Sequence, residues 1–206
     1  MKEDILNADE LGYRIKLLAI IKQLDDAVEL SVEAALVPKS AMIGSVNDSF
    51  NAVFMKGDIV DDTMYYGRGA GRLPTGSAVI SDIMEAAADV IQEAGTPTGI
   101  TMMRERELLS YLPADEVRKR CYLRLSLADE PGAMAQVMHV LGEHSINVAS
   151  VVQKEQHSDG LVPVVVLTEQ ARERDFCEAM KRIVGLSICL AEPVRFRLED
   201  FEDESR

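Results

Sequence analysis

No stretch of this sequence is apolar for the ~18 to 20 residues that a membrane-spanning helix requires. The longest apolar run, Leu161 to Leu167, has seven residues and contains Pro163. Met1-Lys2-Glu3-Asp4 places acid where a signal peptide carries its basic and apolar regions. Cysteine is scarce: Cys121, Cys177 and Cys189 cannot all pair with one another, which points to a reducing, cytoplasmic setting. Positive charge is also short. Against 35 acidic residues stand 22 basic ones, a net charge of −13, which argues against a nucleic-acid backbone or an anionic membrane as partner. Length is limited too: 206 residues leave little room for a cofactor domain, a substrate domain and a regulatory domain together. What is present suits a folded protein, with 47% hydrophobic and 28% charged residues.

Hydrophobic periodicity predicts a short N-terminal helix over residues 1 to 12, with Ile5, Leu6 and Leu11 on one side and Gly12 as its stop. Strands follow at Arg14 to Ile21 and at Val28 to Ala34, separated by the turn Asp25-Asp26 and ended by Pro38. Two more are expected at Phe50 to Met55 and Asp62 to Tyr66, joined through Lys56-Gly57-Asp58. Four strands on short turns read as one antiparallel sheet. A helix is expected from Ser77 to Gln92, with Val79, Ile80, Ile83, Ala87, Val90 and Ile91 at helical spacing.

Breakers without periodicity mark a boundary between Glu93 and Lys119. The pattern then resets. A strand at Tyr122 to Leu127, a turn at Ala128 to Gly132 and a helix burying Met134, Val137, Met138 and Leu141 come first. Strands at Ile146 to Gln153 and Leu161 to Leu167 flank the turn His157 to Gly160. A helix over Glu173 to Ile183 and a strand over Ser187 to Phe196 close the series. The order β-α-β-β-α-β is ferredoxin-like, so the fold class is α+β. The acidic end, Glu199 to Glu204, reads as a solvated tail.

Chemistry-bearing residues are few. Gly67, Gly69 and Gly71 lie between a strand and a helix, where glycines let backbone N–H groups approach an anion. The spacing is G-x-G-x-G, not the dinucleotide fingerprint G-x-G-x-x-G. Gly71 to Gly76-Ser77 has the glycine spacing of a P-loop without its lysine. A bare glycine turn and a ligand loop remain alternatives. His139 and His144 are five apart, and no cysteine pair has zinc spacing, so no metal site is expected. Cys177 and Cys189 read as core residues, and Lys16 as a strand lysine with a polar or interfacial partner rather than a catalytic one. The turn Asp129-Glu130-Pro131-Gly132 joins a strand directly to a helix. There Gly132 and Ala133 would present N–H groups to a small carboxylate, with Asn147 as a polar contact beside them. The alternative is a plain capped helix start.

Ala8 to Ile20 resembles a stretch inside the catalytic domain of bacterial homoserine dehydrogenases. Leu36-Val37-Pro38-Lys39-Ser40, Ser45-Val46-Asn47, Phe50-Asn51-Ala52-Val53 and Tyr66-Gly67-Arg68-Gly69-Ala70-Gly71-x-x-Pro74-Thr75-x-Ser77-Ala78-Val79 match in the same order. Asp129-Glu130-Pro131-Gly132-Ala133-Met134 and Ser145-Ile146-Asn147-Val148 resemble an ACT domain, a module that senses an amino acid. The resemblance divides the chain into the later part of a catalytic and dimerisation domain (1–92), a linker (93–119), an ACT domain (120–198) and an acidic tail (199–206).

That resemblance implies reversible hydride transfer between NAD(P)H and aspartate semialdehyde to give homoserine. It implies NADP or NAD as cofactor of the full-length enzyme, not held stably by this chain alone, with Gly67, Gly69 and Gly71 near the nicotinamide end. It further implies a small amino-acid effector, threonine, held at Asp129, Gly132, Ala133 and Asn147. Members of the family begin with a Rossmann domain, followed by the acidic substrate-binding residues and a proton-transferring lysine, all before the Ala8 to Ile20 block. None of these has a counterpart here, so no catalytic residue is expected, and Lys16 is not that lysine. The expectation is a homo-oligomer that is inactive alone. Two alternatives stand beside it: a stand-alone regulatory protein that binds an amino acid, and a partner subunit of a separate Rossmann-domain chain.

Overall fold

The computed structural model describes residues 2–24, 26–91, 109–153 and 160–201. Along the chain run α1 (Lys2–Glu10), β1 (Tyr13–Gln23), β2 (Ala27–Pro38), a 3-10 turn (Met42–Ser45), β3 (Phe50–Gly57), β4 (Asp61–Arg68) and α2 (Arg72–Ile91). Then come β5 (Ser110–Tyr111), a second 3-10 turn (Ala114–Glu116), β6 (Arg118–Ala128), α3 (Ala133–Glu143), β7 (Val148–Gln153) and β8 (Leu161–Thr168). The short β9 (Ala171–Arg172), α4 (Glu173–Val184) and β10 (Val194–Leu198) complete the described residues. Contacts group these into two units: Met1–Ser40 with Leu109–Arg206, and Ala41–Leu108.

The first unit is built on a mixed sheet of order β1-β2-β10-β6-β8-β7, with β5 beside β2 and β9 beside β6. The last four strands of that order are the ferredoxin-like set, and all their pairings are antiparallel. Alternation along β6 produces two cores. Cys121, Leu123, Leu125 and Leu127 face α3 and α4, where Val137, Leu141, Phe176, Ala179 and Ile183 are buried with them. Tyr122 points the other way and joins Val165, Leu167, Leu198, Leu36 and Ala8 in a smaller core under α1. β8 supplies both, which is why its run of valines needs no polar alternation.

The β1–β2 hairpin extends this sheet. β2 runs parallel to β10 with Arg197 opposite Ala35 and Leu198 opposite Leu36. The Glu199 N–H continues the seam to the Leu36 carbonyl at 2.9 Å. Ile15 and Leu36, a register pair, join the smaller core. Farther along the same face, Leu17, Ile21, Leu30 and Val32 lie exposed.

The second unit holds the β3–β4 hairpin and α2. The hairpin pairs Phe50 with Arg68 through Gly57 with Asp61. α2 opens at Arg72, five residues before the expected Ser77, because Pro74 sits in its first turn, where a missing N–H costs nothing. The Thr75 N–H reaches the Gly71 carbonyl at 3.0 Å. No residue of α2 is buried.

Several expectations are corrected. The four N-terminal strands do not share a sheet: β1–β2 belongs to the large sheet and β3–β4 to its own. α1 leaves Ile5 and Leu6 exposed and buries Asp4, Asn7 and Ala8, since Arg124 and Tyr122 stand beneath it with polar partners to offer. The expected strand 187–196 is two pieces. Ile188 to Leu190 bridges the end of β6, and β10 begins only after Pro193, which has no N–H for a ladder. Cys177 is exposed and Cys189 half-buried; only Cys121 is a core residue. Glu199 and Asp200 are not solvated tail: Glu199 is buried against Arg197, and Asp200 accepts from Arg120 and Tyr13. The turn residues 157–159 and most of the 93–119 segment lie outside the described residues.

Candidate functional site

The glycine loop leaves β4 at its last residues. Alternation in the hairpin gives it two distinct faces. On one, Phe50 and Tyr66 stack with ring centroids 4.7 Å apart and planes 5° from parallel. The Arg68 guanidinium lies 4.8 Å over the Phe50 ring and donates to Ser49 Oγ at 3.1 Å. This stack braces the loop and ties up its charged side chain. On the other face Asn51 stands directly opposite Gly67. A Cβ at Gly69 would fall 1.6 Å from Asn51 Nδ2, so the carboxamide occupies the space that a side chain there would need. The Gly69 N–H donates to the Ser49 carbonyl at 3.3 Å. Gly71 adopts φ +124°, a conformation that L side chains rarely take. Two of the expected glycines are therefore glycine for a reason: Gly69 makes room for Asn51, and Gly71 makes the turn into α2, whereas a Cβ at Gly67 would meet open space. The result is a cradle of exposed backbone with one polar side chain in it, which fits the approach of a planar, polar ligand group.

Asn51 was missed by sequence reasoning, although its block was conspicuous. Only the cross-strand register reveals that it faces Gly67. Lys16 is half-buried in β1, where burial and the neighbouring Arg14 charge lower its pKa; neither supplies a proton-transfer partner.

The second expected site opens at the end of β6. Gly132 takes φ +87° as the N-cap of α3, a left-handed conformation that favours glycine. Asp129 and Gly132 are exposed, whereas Ala133 is buried and its N–H donates to the Glu130 carbonyl at 3.1 Å. Ala133 is therefore not a free donor. Asn147 is not brought to this loop within one chain. Ala128 pairs with Leu161 at one end of β8, and Val148 pairs with Thr168 at the other. Seven residue steps of strand separate those ends, roughly 20 Å. Asn147 and the Asp129–Gly132 turn lie at opposite ends of the sheet.

A third constellation was not foreseen. Arg197 bonds Glu29 at 2.5 Å, Glu199 at 2.8 Å and Glu33 at 3.3 Å. Lys119 pairs with Glu33 at 2.8 Å and Glu173 at 3.3 Å, and Glu173 is held by Arg195 at 2.5 Å. Lys22 closes the network on Glu199 at 2.6 Å. For Glu173, burial raises the carboxyl pKa, but the Arg195 hydrogen bonds and the Arg195 and Lys119 charges outweigh it and hold it below the ordinary value. Four cations meet four anions across β1, β2, β10, β6 and α4, so the network is compensated and structural. His139 lies on the exposed side of α3 beside Glu143, and His144 caps that helix with Nδ1 3.7 Å from Glu178.

Residues 1–84 match the homoserine dehydrogenase family, and residues 122–185 match the ACT domain. The homoserine dehydrogenase of Pseudomonas aeruginosa is 35% identical over 199 residues, covering 95% of this chain and 46% of that protein. That of Neisseria gonorrhoeae is 35% identical over 205 residues, covering 97% of this chain and 46% of its own. The crystal structure of a homoserine dehydrogenase from Thiobacillus denitrificans superposes with a TM-score of 0.82 at 34% identity, over 98% of this chain and 46% of that one. The chain thus spans about half the length of the relatives it matches. Through residues 1–84 the chain belongs to the homoserine dehydrogenase family, and over residues 122–185 it carries an ACT domain.

Proposed function

We propose that this chain is the later part of the catalytic and dimerisation domain of a homoserine dehydrogenase, joined to an amino-acid-sensing ACT domain. On this reading 1–92 is the catalytic part, 93–119 a linker and 120–198 the regulatory domain, against which Glu199 and Asp200 are packed ahead of the acidic end. The observation that carries the reading is the pairing of both family segments, in order, along nearly the whole chain. The reaction is the interconversion of L-homoserine and L-aspartate 4-semialdehyde in threonine, methionine and isoleucine synthesis.

NADP or NAD, when bound, carries the hydride. Gly67, Gly69 and Gly71 contribute a close backbone approach at the nicotinamide end, and the Phe50–Tyr66–Arg68 stack holds that approach rigid. No side chain of this chain is assigned the proton of the forming alkoxide. A polypeptide of these 206 residues by itself is therefore expected to show no homoserine-dependent reduction of NADP+. Measurable turnover by the pure chain would sink this reading.

Threonine is the proposed effector, taken up at the Asp129–Gly132 turn. At a free concentration ~100 times Kd, binding stabilises by about 2.7 kcal/mol, roughly 5 to 11 °C in Tm for a chain this size. Absence of a shift with every one of the twenty amino acids would remove the sensing role.

A second reading is favoured by the exposed apolar faces. Leu17 and Ile21 of β1 are each 76% exposed, Val32 of β2 is 73% exposed, and α2 has no buried residue at all. Such surfaces mark association. They suit a homo-oligomer, or a subunit that joins a separately made Rossmann-domain partner. Activity restored on mixing with such a partner would separate this from a stand-alone regulatory protein.

A further inference from the structure

We propose that Asn51 is the specificity residue of the glycine loop, reading the carboxamide of a nicotinamide ring through its own carboxamide; this rests on the reading of that loop as the nicotinamide end. The register places Asn51 opposite Gly67, and its Nδ2 lies where a side chain at Gly69 would begin. Gly69 is thus left without a side chain by Asn51, and Gly67 stands across the ladder from it. Asn51 is exposed, and among the described residues its carboxamide makes no hydrogen bond. Its donor and acceptor are both available to a ligand.

The chemistry of that group selects its partner. A primary amide presents N–H and C=O side by side, and the group that satisfies both is another amide. A phosphate or carboxylate would use the N–H and leave the carbonyl facing negative charge. Arg68, the cation between the two glycines, is turned to the far face and held over Phe50, so it does not convert the near face into an anion site. Tyr65, two residues before Gly67 and on the Asn51 face, is 64% exposed and offers a flat apolar wall beside the amide. A planar aromatic ring bearing a carboxamide matches the pair.

The test uses the full 206-residue chain, labelled with 15N, and two probes at millimolar concentration, where weak binding is still read: NADP+ and its nicotinic-acid analogue, in which a carboxylate replaces the carboxamide. NADP+ is expected to shift the Asn51 side-chain NH2 pair together with the Gly67 and Gly69 amides, and to bind roughly tenfold tighter than the analogue. Asn51→Ala and Asn51→Asp, both exposed substitutions checked for folding by circular dichroism, are expected to erase that preference while Gly67 and Gly69 still respond. If NADP+ moves the glycines but not the Asn51 NH2 pair, or if the Asn51→Ala chain keeps the preference, the inference falls and the glycine-loop reading stands. If neither probe moves Gly67 or Gly69, both fall.

Discussion

Arg197 and Glu29 meet at 2.5 Å although both side chains are almost wholly withdrawn from water. The pair joins β10, which follows the ACT segment, to β2, which belongs to the homoserine dehydrogenase segment. Two hydrogen-bonded register pairs alone would be a thin seam between those strands. The guanidinium thickens it by taking Glu29, Glu33 and Glu199 at once.

Glu29→Ala would leave the most buried of these charges short of a partner. Removing one member of a buried ion pair costs on the order of 3 kcal/mol. Glu29→Gln, which keeps the shape and an acceptor oxygen, should lose less. Urea denaturation would show both as lowered midpoints with an unchanged slope.

Acid should loosen the same unit. Burial raises the Asp4 pKa, but the paired Arg124 hydrogen bonds and charge outweigh it, so the carboxyl titrates below its ordinary 3.8. Glu173 is likewise held below its ordinary 4.5. For groups depressed on folding, the stabilisation is complete above the unfolded value near pH 4 and disappears as pH falls through the folded one. Stability is therefore expected to drop below about pH 4. The double variant Asp4→Asn, Glu173→Gln should start less stable at neutral pH and show a flatter acid limb. An acid limb identical to that of the parent would contradict the assignment.

Gly69→Ala should disturb the glycine loop because its new methyl falls on Asn51. Asn51→Gly in the same chain should relieve it. A double-mutant cycle on the amide shifts of Gly67 and Gly71 would then be strongly non-additive. Additive shifts would mean that the two positions do not meet.

The cysteines should separate cleanly by reactivity. Burial pushes the Cys121 thiol up to about 12 and hides it, while Cys177, whose thiol burial and Glu173 also push upward, is exposed on α4. A maleimide reagent at neutral pH is expected to label Cys177 first, Cys189 more slowly and Cys121 only after unfolding. Labelling of Cys121 in the native chain would refute its core position.

The ferredoxin-like half was legible because its strands alternate or run apolar and its helices keep strict spacing. Val137, Leu141, Phe176 and Ile183 fell where periodicity put them. The first half was legible only in pieces. Each hairpin announced itself, but nothing local tells β2 to lie beside β10, a partner more than 150 residues away in sequence. α1 misled for a related reason: its buried face is Asp4 and Asn7, polar residues whose partners, Arg124 and Tyr122, come from a distant strand. The glycines of the candidate site were visible, whereas Asn51 needed the register. Asn147 shows the converse, since a residue that reads as a neighbour of the Asp129 turn stands at the other end of the sheet.

The parallel pairing of β2 with β10 also governs how this chain can be cut. A break after Lys119 would separate the two family segments neatly on paper. In the molecule it would strip β2 of its β10 neighbour, open β10's edge to water, leave Glu29 without its counter-ion and leave Arg197 with Glu199 alone. Neither fragment would inherit a finished edge. Gene fusions, truncations or domain grafts involving this chain should therefore carry the hairpin of residues 13–38 along with the regulatory module, as one exchangeable piece.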